Sequence, residues 1–168
     1  MKAQVHGVSG ITDMESLTIS GIAKEDDVSR ITVVCKDTQI GRCYRLFKLL
    51  ADNNINVDII VQAFGEHIQK DISFTVKKDD LEKTLVLLNE NLELLNAKEI
   101  KYCENLSKIS IVGVGLINNP GIAAKLFEIL YQNNINMHMI STSEIKISIL
   151  VNKKEADLAL EKLHEGFF

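Results

Sequence analysis

The chain has few of the residues that cross-link or interrupt a fold. Its three cysteines, Cys35, Cys43 and Cys103, are an odd number without Cys-x-x-Cys spacing, which argues against a disulfide framework and against a zinc site. We therefore expect all three to be packing residues. The single proline, Pro120, and the lack of any Pro-rich or Gly-rich stretch leave no obvious flexible linker.

Long apolar runs and basic runs are also missing. Hydrophobic residues make up 46% of the chain, yet no run approaches the roughly 20 residues of a membrane span. Residues 2–9 lack the apolar segment of a secretory signal. A formal net charge of −4 with scattered Lys and Arg gives no reason to expect nucleic acid or an anionic membrane as a partner. We expect a soluble, cytoplasmic protein.

What the chain does have is an internal repeat. Residues 46–60 recur 80 positions later as residues 126–140, with eight of the fifteen positions identical. Ordinary composition would give roughly one identity by chance. With 168 residues in total, the repeat predicts two small units of one architecture.

Hydrophobic spacing predicts the same order of elements in each half. In the first half we expect strands at 17–22 and 31–35 around a charged turn at 24–27, a helix from Gly41 to the Asn53-Asn54 pair, strands at 57–64 and 71–76, and a helix capped by Asp79 or Asp80. In the second half we expect strands at 99–103 and 109–114, a helix from Pro120, strands at 137–143 and 146–151, and a helix around 158–164.

This order predicts an α+β fold of two ferredoxin-like βαββαβ units, with antiparallel sheets and the helices on one face. Residues 99–103 can close the first unit, but the chain stops before a strand that could close the second. We therefore predict that the N-terminal strand, 17–22, completes the second unit. The expected domains are a leader at 1–14, a first unit at 15–104 and a second unit at 105–168.

Candidate catalytic groups are scarce. Only His164 has a carboxylate one helical turn away, Glu161, and such a pair is more often a surface contact than a metal site. There is no P-loop lysine and no Gly-x-Ser-x-Gly motif. Gly113-Val-Gly115 has its third glycine misplaced for a dinucleotide loop. We expect no catalytic and no metal-binding residues.

Two glycine-bearing turns are better candidates for binding. Residues 115–121 lead from a strand into a helix, and residues 36–41 occupy the equivalent place, with Gly41 aligned to Gly121. Such a turn presents backbone N–H groups and the positive end of a helix dipole, which suits an anion or a carboxylate. Two ordinary tight turns are the alternative interpretation.

Further motifs resemble a known family. A glycine turn six residues before a helical Phe, followed by Asn-Ile-Asn and a strand, is similar to the ACT domain, a small amino-acid-sensing module. Three segments resemble the regulatory tail of aspartate kinase more specifically. They are Pro-Gly-Ile-Ala-Ala-Lys-Leu-Phe at 120–127, Ile-Ser-Thr-Ser-Glu-Ile-Lys-Ile-Ser at 140–148 and Leu-His-Glu at 163–165. Val-Ser-Gly-Ile at 8–11 resembles the segment with which that family leaves its kinase domain.

The resemblance implies a tandem ACT regulatory part of aspartate kinase, as a separate subunit or as part of a longer enzyme. That enzyme phosphorylates the β-carboxylate of aspartate with ATP, the first step towards lysine, threonine and methionine. The chain itself is expected to be inactive and to bind no cofactor, since ATP and Mg²⁺ belong to the kinase domain. A homodimer is implied, with threonine or lysine bound between the first unit of one copy and the second unit of the other.

Matching positions give a candidate effector site. In the first unit they are Asp37 or Thr38, Gly41, Cys43 and Gln62. In the second unit they are Asn118, Asn119, Gly121, Asn136, Met137, Ser143 and Glu144.

The first turn departs from the family pattern. It reads Asp-Thr-Gln-Ile-Gly at 37–41, where the family has Asp-x-Pro-Gly, so it is one residue longer and lacks the proline. Cys43 stands where alanine is usual. A dimerisation scaffold without effector binding is therefore the alternative to a sensor, and a free-standing enzyme is the weakest interpretation.

Overall fold

The computed structural model describes residues 17–37, 39–62, 71–116, 118–119 and 121–168. Its strands are β1 Thr18–Cys35, β2 Ile60–Gln62, β3 Ile72–Lys77, β4 Ala97–Val114, β5 Met137–Thr142 and β6 Lys146–Asn152. Its helices are α1 Arg42–Asp52, α2 Lys78–Glu90, α3 Gly121–Gln132 and α4 Ala156–Phe167, the last preceded by a 3-10 turn, Lys153–Glu155. The chain divides into two units, and both β1 and β4 contribute to each of them.

The first unit is Asp27–Asn105. Its strands are ordered β2-β3-β1-β4, with β3 antiparallel to both β1 and β2. Alternate residues of a strand point to one face, so Ile31 and Phe74, which are paired in register, share the core with Leu46 and Leu88 from the two helices. One face of the sheet is therefore covered by α1 and α2.

The second unit consists of Leu106–Phe168 together with the described residues before Asp27. Its strands are ordered β1-β4-β6-β5, and β6 is antiparallel to both β4 and β5. Ile22 of β1 is 7% exposed and packs in one cluster with Ile111, Leu126 and Leu163. The N-terminal strand thus completes this unit, which confirms the prediction that it supplies the missing strand of a second βαββαβ unit.

The repeated Asn-Asn pair ends the first helix of each unit in the same way. Asn54 and Asn134 adopt left-handed backbone conformations, with φ of 55° and 53°. The following residue then donates its N–H back to the helix, from Ile55 to the Leu50 carbonyl at 3.0 Å and from Ile135 to the Leu130 carbonyl at 2.9 Å. Asparagine tolerates this conformation better than most residues, which confirms the predicted C-cap.

The charged segment 24–27 was predicted to be a turn, and that prediction is wrong. It lies inside β1, where Lys24 Nζ is 2.6 Å from Asp157 Oδ1 and 3.0 Å from Asp26 Oδ2. The hydroxyl of Ser107 donates to Asp26 at 2.6 Å. Asp27, also within β1, has a left-handed backbone with φ of 60°.

Three other boundaries also differ from the expected ones. The strands expected at 99–103 and 109–114 are parts of one strand, β4, with Asn105 left-handed at φ 57°. Neither Asp79 nor Asp80 caps α2, because its N-cap is Lys77. Both carboxylates lie in the first turn of α2, where they interact favourably with the positive end of the helix dipole. Strand β2 is shorter than the predicted 57–64, and residues 63 and 64 lie outside the described residues, as do the predicted leader and the first residues of the expected first unit.

Candidate functional site

The first candidate turn, residues 36, 37 and 39–41, joins β1 to α1. Gly41 is the N-cap of α1 and has φ of 80°, a left-handed conformation that favours glycine. Among the described residues no side chain caps the helix, and the first hydrogen bond of the helix runs from Arg45 N to the Gly41 carbonyl at 3.0 Å. The N–H groups of the first helical turn have no carbonyl partner within the helix, so this end can receive an anion.

Side chains from outside the turn hold it in place. Arg42 is 3% exposed and donates from Nη1 to the carbonyl oxygen of Asp37. The amide of Asn96 donates to Asp37 Oδ1, and Lys36 N donates to the Asn96 carbonyl at 3.0 Å. Asp37 is thus fixed beside a buried guanidinium, whereas Thr38, its predicted alternative, lies outside the described residues.

Two other predicted residues of the first unit meet each other. Cys43, in the first turn of α1, and Gln62, the last residue of β2, are both half-buried, and Cys43 Sγ lies 3.7 Å from Gln62 Oε1. The thiol is a weak hydrogen-bond donor, and the amide keeps its NH₂ group for another partner. The structure therefore places the side chain of Gln62 against Cys43, in the first turn of α1.

The second candidate turn, residues 115, 116, 118, 119 and 121, leads from β4 into α3. Gly115 has φ of 77°, and Asn119 donates from its amide to the Gly115 carbonyl at 2.6 Å. Ile122 N donates to the Asn119 carbonyl at 3.1 Å, and Asn118 is exposed. Among the described residues, a Cβ added to Gly121 at the start of α3 would meet no packed neighbour within 4 Å.

Strand β5 separates the remaining predicted residues of the second unit. Asn136 and Met137 lie at its start, where Met137 pairs with Val151. Ser143 and Glu144 follow its end, where Ser143 N donates to the Lys146 carbonyl at 2.7 Å. Met137 and Ser143 are six residue steps apart, and six steps along a strand span about 20 Å, so the two pairs cannot contact one small ligand within a single copy of this unit.

The remaining predictions concern cysteine, metal ions and membranes. Cys35 is buried, as expected of a packing residue, and desolvation, the largest cause, raises the pKa of its thiol. Within the ranges that the structure describes, no group of three His, Cys, Asp or Glu side chains could hold a metal ion. In those same ranges, no helix is long and apolar enough to cross a membrane.

Three residues that position the first turn were missed by the sequence analysis. They are Arg42, Arg45 and Asn96, and Arg45 donates from Nε to the Leu94 carbonyl at 3.0 Å and from its guanidinium to the Gln39 side chain. Asn96 is 59 positions from Asp37 in sequence. A sequence pattern based on local spacing cannot report a pairing over that distance, although the arginines at helix positions 42 and 45 were visible as an unusual pair next to a glycine turn.

Two ferredoxin-like units, each with a glycine turn before its first helix, define a tandem α+β protein with two matching helix-entry turns. A sequence model of the ACT domain matches residues 31–92 and 109–167. The chain belongs to the ACT domain family and, within it, to the regulatory part of aspartokinases.

Relatives and solved structures agree with this assignment. An aspartokinase of Bacillus sp. (strain MGA3) is 43% identical over 157 residues, which are 94% of this chain and 38% of that protein. The chain therefore spans about two fifths of the length of the curated relatives that it matches. A crystal structure of aspartokinase alpha and beta subunits matches with 38% identity and a TM-score of 0.81, over 89% of this chain and 99% of that one. The ligand-free regulatory subunit of aspartate kinase from Thermus thermophilus matches with 33% identity and a TM-score of 0.82 over the same shares.

Proposed function

We propose that the chain is an allosteric amino-acid sensor that lowers the activity of aspartate kinase when threonine or lysine accumulates. The kinase reaction converts ATP and L-aspartate to 4-phospho-L-aspartate, and its ATP and Mg²⁺ would be bound by the kinase domain, in the cytoplasm. One observation carries the proposal. A helix N-terminus with no capping side chain among the described residues, a buried arginine and a carboxylate converge on the first turn.

The chemistry of this turn suits a free amino acid. A ligand carboxylate is stabilised by the N–H groups at the start of α1 and by the dipole of that helix. A ligand ammonium is complemented by the carboxylate of Asp37, which keeps acceptor capacity beyond its bond to Asn96. Gln62, which lies beside Cys43, would donate from its amide to a polar atom of the ligand.

A homodimer is part of the proposal. Asn136 and Met137 lie far along β5 from Ser143 and Glu144, so one ligand would contact only one of these two pairs in each copy. In that dimer the first turn of one copy would receive Asn136 and Met137 of its partner. Strand β2 is an edge strand of the first unit with Ile60 49% and Val61 38% exposed, apolar surface of a kind that association would cover.

Feedback inhibition follows if the ligand binds one dimer arrangement better than another. A ligand shifts an equilibrium only by its difference in affinity for the two states, so the kinase would be less active in the arrangement that binds the amino acid more tightly. The solved structure with alpha and beta subunits of aspartokinase supports a catalytic partner for a chain of this kind.

The alternative is a dimerisation scaffold that binds no effector. The observation that favours it is the first turn itself, which is one residue longer than the family pattern and lacks the proline. The scaffold would still dimerise and would still associate with the kinase.

Calorimetric titration with threonine and with lysine, singly and together, separates the two proposals. A sensor should bind at least one of them, and its mass in solution should show a dimer held together by the ligand. Gln62→Ala should weaken that binding. Gln132→Ala is the matched control, because Gln132 is an exposed glutamine that donates within α3 to Glu128 at 3.2 Å. A dimer that binds neither amino acid would establish the scaffold.

A further inference from the structure

Asn96 is the residue that links the first turn to another part of the first unit. It closes the loop 91–96 between α2 and β4, and its backbone is left-handed, with φ of 50°. Its carbonyl accepts from Lys36 N at 3.0 Å, and its side-chain amide donates to Asp37 Oδ1. One residue therefore holds both the backbone and the carboxylate of the turn.

A second link joins the same two segments. Arg45 donates to the Leu94 carbonyl of the loop at 3.0 Å and to the side chain of Gln39 in the turn. The loop is itself closed by short-range bonds, from Asn96 N to the Glu93 carbonyl at 3.0 Å and from Ala97 N to the Leu92 carbonyl at 2.8 Å. The turn is thus braced against an ordered loop.

These hydrogen bonds restrict a turn that lacks the proline of the family pattern. Proline fixes φ near −65° and lowers the number of conformations that a turn can adopt. The described residues of the first turn include Gln39 and Ile40 before Gly41, and Ile40 is 97% exposed, so packing of its side chain does not restrict the turn. External hydrogen bonds supply the restriction here.

We propose that Asn96 is a positioning residue for effector binding, and that its amide holds the Asp37 carboxylate in the orientation that accepts the ammonium group of an α-amino acid. The inference rests on the proposed sensor function. Without the amide, Asp37 must lose side-chain freedom when the ligand binds, and this loss weakens affinity although Asn96 need not touch the ligand.

Asn96→Gly tests this role, because glycine tolerates the left-handed backbone and removes only the side chain. Asn54→Gly is the matched control, since Asn54 is an exposed asparagine of the same unit with φ of 55°. In calorimetric titrations with threonine and with lysine, we expect Asn96→Gly to bind about tenfold more weakly than the wild type, the size of one hydrogen bond to a charged group. Asn54→Gly should bind within about twofold of the wild type.

A double-mutant cycle distinguishes positioning from general damage. If Asn96 acts through Asp37, then Asn96→Gly has little further effect on affinity in an Asp37→Ala background. An equal further loss in that background would overturn the proposal, as would wild-type affinity in Asn96→Gly alone.

Amide hydrogen exchange of the ligand-free chain tests the positioning role of Asn96 independently of the sensor function. Residues 37 and 39–41 should exchange faster in Asn96→Gly than in the wild type or in Asn54→Gly. If the wild type binds neither amino acid, the sensor function fails and the effector role of Asn96 fails with it; faster exchange in Asn96→Gly would then show only that the brace exists. Unchanged exchange would overturn the positioning role whatever the titrations show.

Discussion

Replacing Gly113 with alanine should destabilise the second unit by pushing β1 away from β4. Gly113 lies in β4, and a Cβ built on it would come within 2.4 Å of the Thr18 carbonyl oxygen and 2.9 Å of Ile19 Cα. Both contacts are with backbone atoms of β1, which cannot rotate away as a side chain can. The N–H of Gly113 also donates to the Ile145 carbonyl at 2.9 Å, so β4 is held on its other side.

The size of the effect follows from these distances. An ordinary contact needs about 3.4 Å or more, so β1 and β4 must separate by about 1 Å near Thr18. Overpacking of this kind costs about 1–3 kcal/mol, and we expect the upper end because backbone must move. For a chain of this length, 3 kcal/mol corresponds to a fall in Tm of about 6–12 °C.

Urea unfolding followed by circular dichroism measures the change, with two glycine variants as controls. Gly121→Ala should be as stable as the wild type or more so, because its Cβ would meet no packed neighbour within 4 Å in the part of the chain that the structure describes. Gly166→Ala should lie between them, since its nearest contact, at 2.4 Å, is the flexible end of the Ile129 side chain. A wild-type midpoint for Gly113→Ala would refute the close packing of the N-terminal strand on β4.

Three further results are expected. Ile22→Ala should lower the free energy of unfolding by about 2–5 kcal/mol in urea titrations, because Ile22 is 7% exposed and packs in the core of the second unit. A loss below about 1 kcal/mol would contradict that packing. Leu126→Ala should cost about 2–5 kcal/mol in the same assay and Phe127→Ala clearly less, since Leu126 is 1% and Phe127 38% exposed; equal losses would argue against the orientation of α3. The Ser107 hydroxyl and, after it, Lys24 lower the pKa of Asp26, so the ionised carboxylate stabilises the fold above about pH 4, and this stability is lost as the pH falls through the lower folded pKa. The stability advantage of the wild type over Asp26→Asn should therefore shrink when unfolding is measured at progressively lower pH, and an advantage independent of pH would count against this pairing.

The general fold could be predicted because its signals are local or repeated. The helix spacing of Leu46 and Leu50, the Asn53-Asn54 cap and their copies 80 residues later determine two similar units. Counting strands was then enough to predict that the N-terminal strand closes the second unit.

The continuous strands could not be predicted in this way. Residues 24–27 carry the charges typical of a turn, but Lys24 and Asp26 find partners in Asp157 and Ser107, more than 80 positions away. Asp27 and Asn105 then adopt left-handed conformations within β1 and β4. Aspartate and asparagine tolerate that conformation, yet they are equally common in turns, so the residue types alone do not decide between the two.

The candidate site was only partly visible for the same reason. Its glycines and the helix that follows them are local features. The brace from Asn96 to Asp37 spans 59 positions and depends on how the α2–β4 loop packs. The contact between Cys43 in α1 and Gln62 in β2 likewise spans 19 positions and depends on how β2 packs beside α1.

The use of the N-terminal strand by the second unit has a consequence for protein synthesis. The first unit is contiguous, so it can fold soon after Asn105 leaves the ribosome. Thr18, by contrast, meets Gly113, 95 positions later, and at about 5–20 residues per second the strand waits about 5–20 s for that partner. The apolar residue Ile22 of this strand is followed closely in sequence by the charged residues Lys24, Glu25 and Asp26. These charges, which later pair within the second unit, also disfavour association between nascent chains while the strand is unpaired.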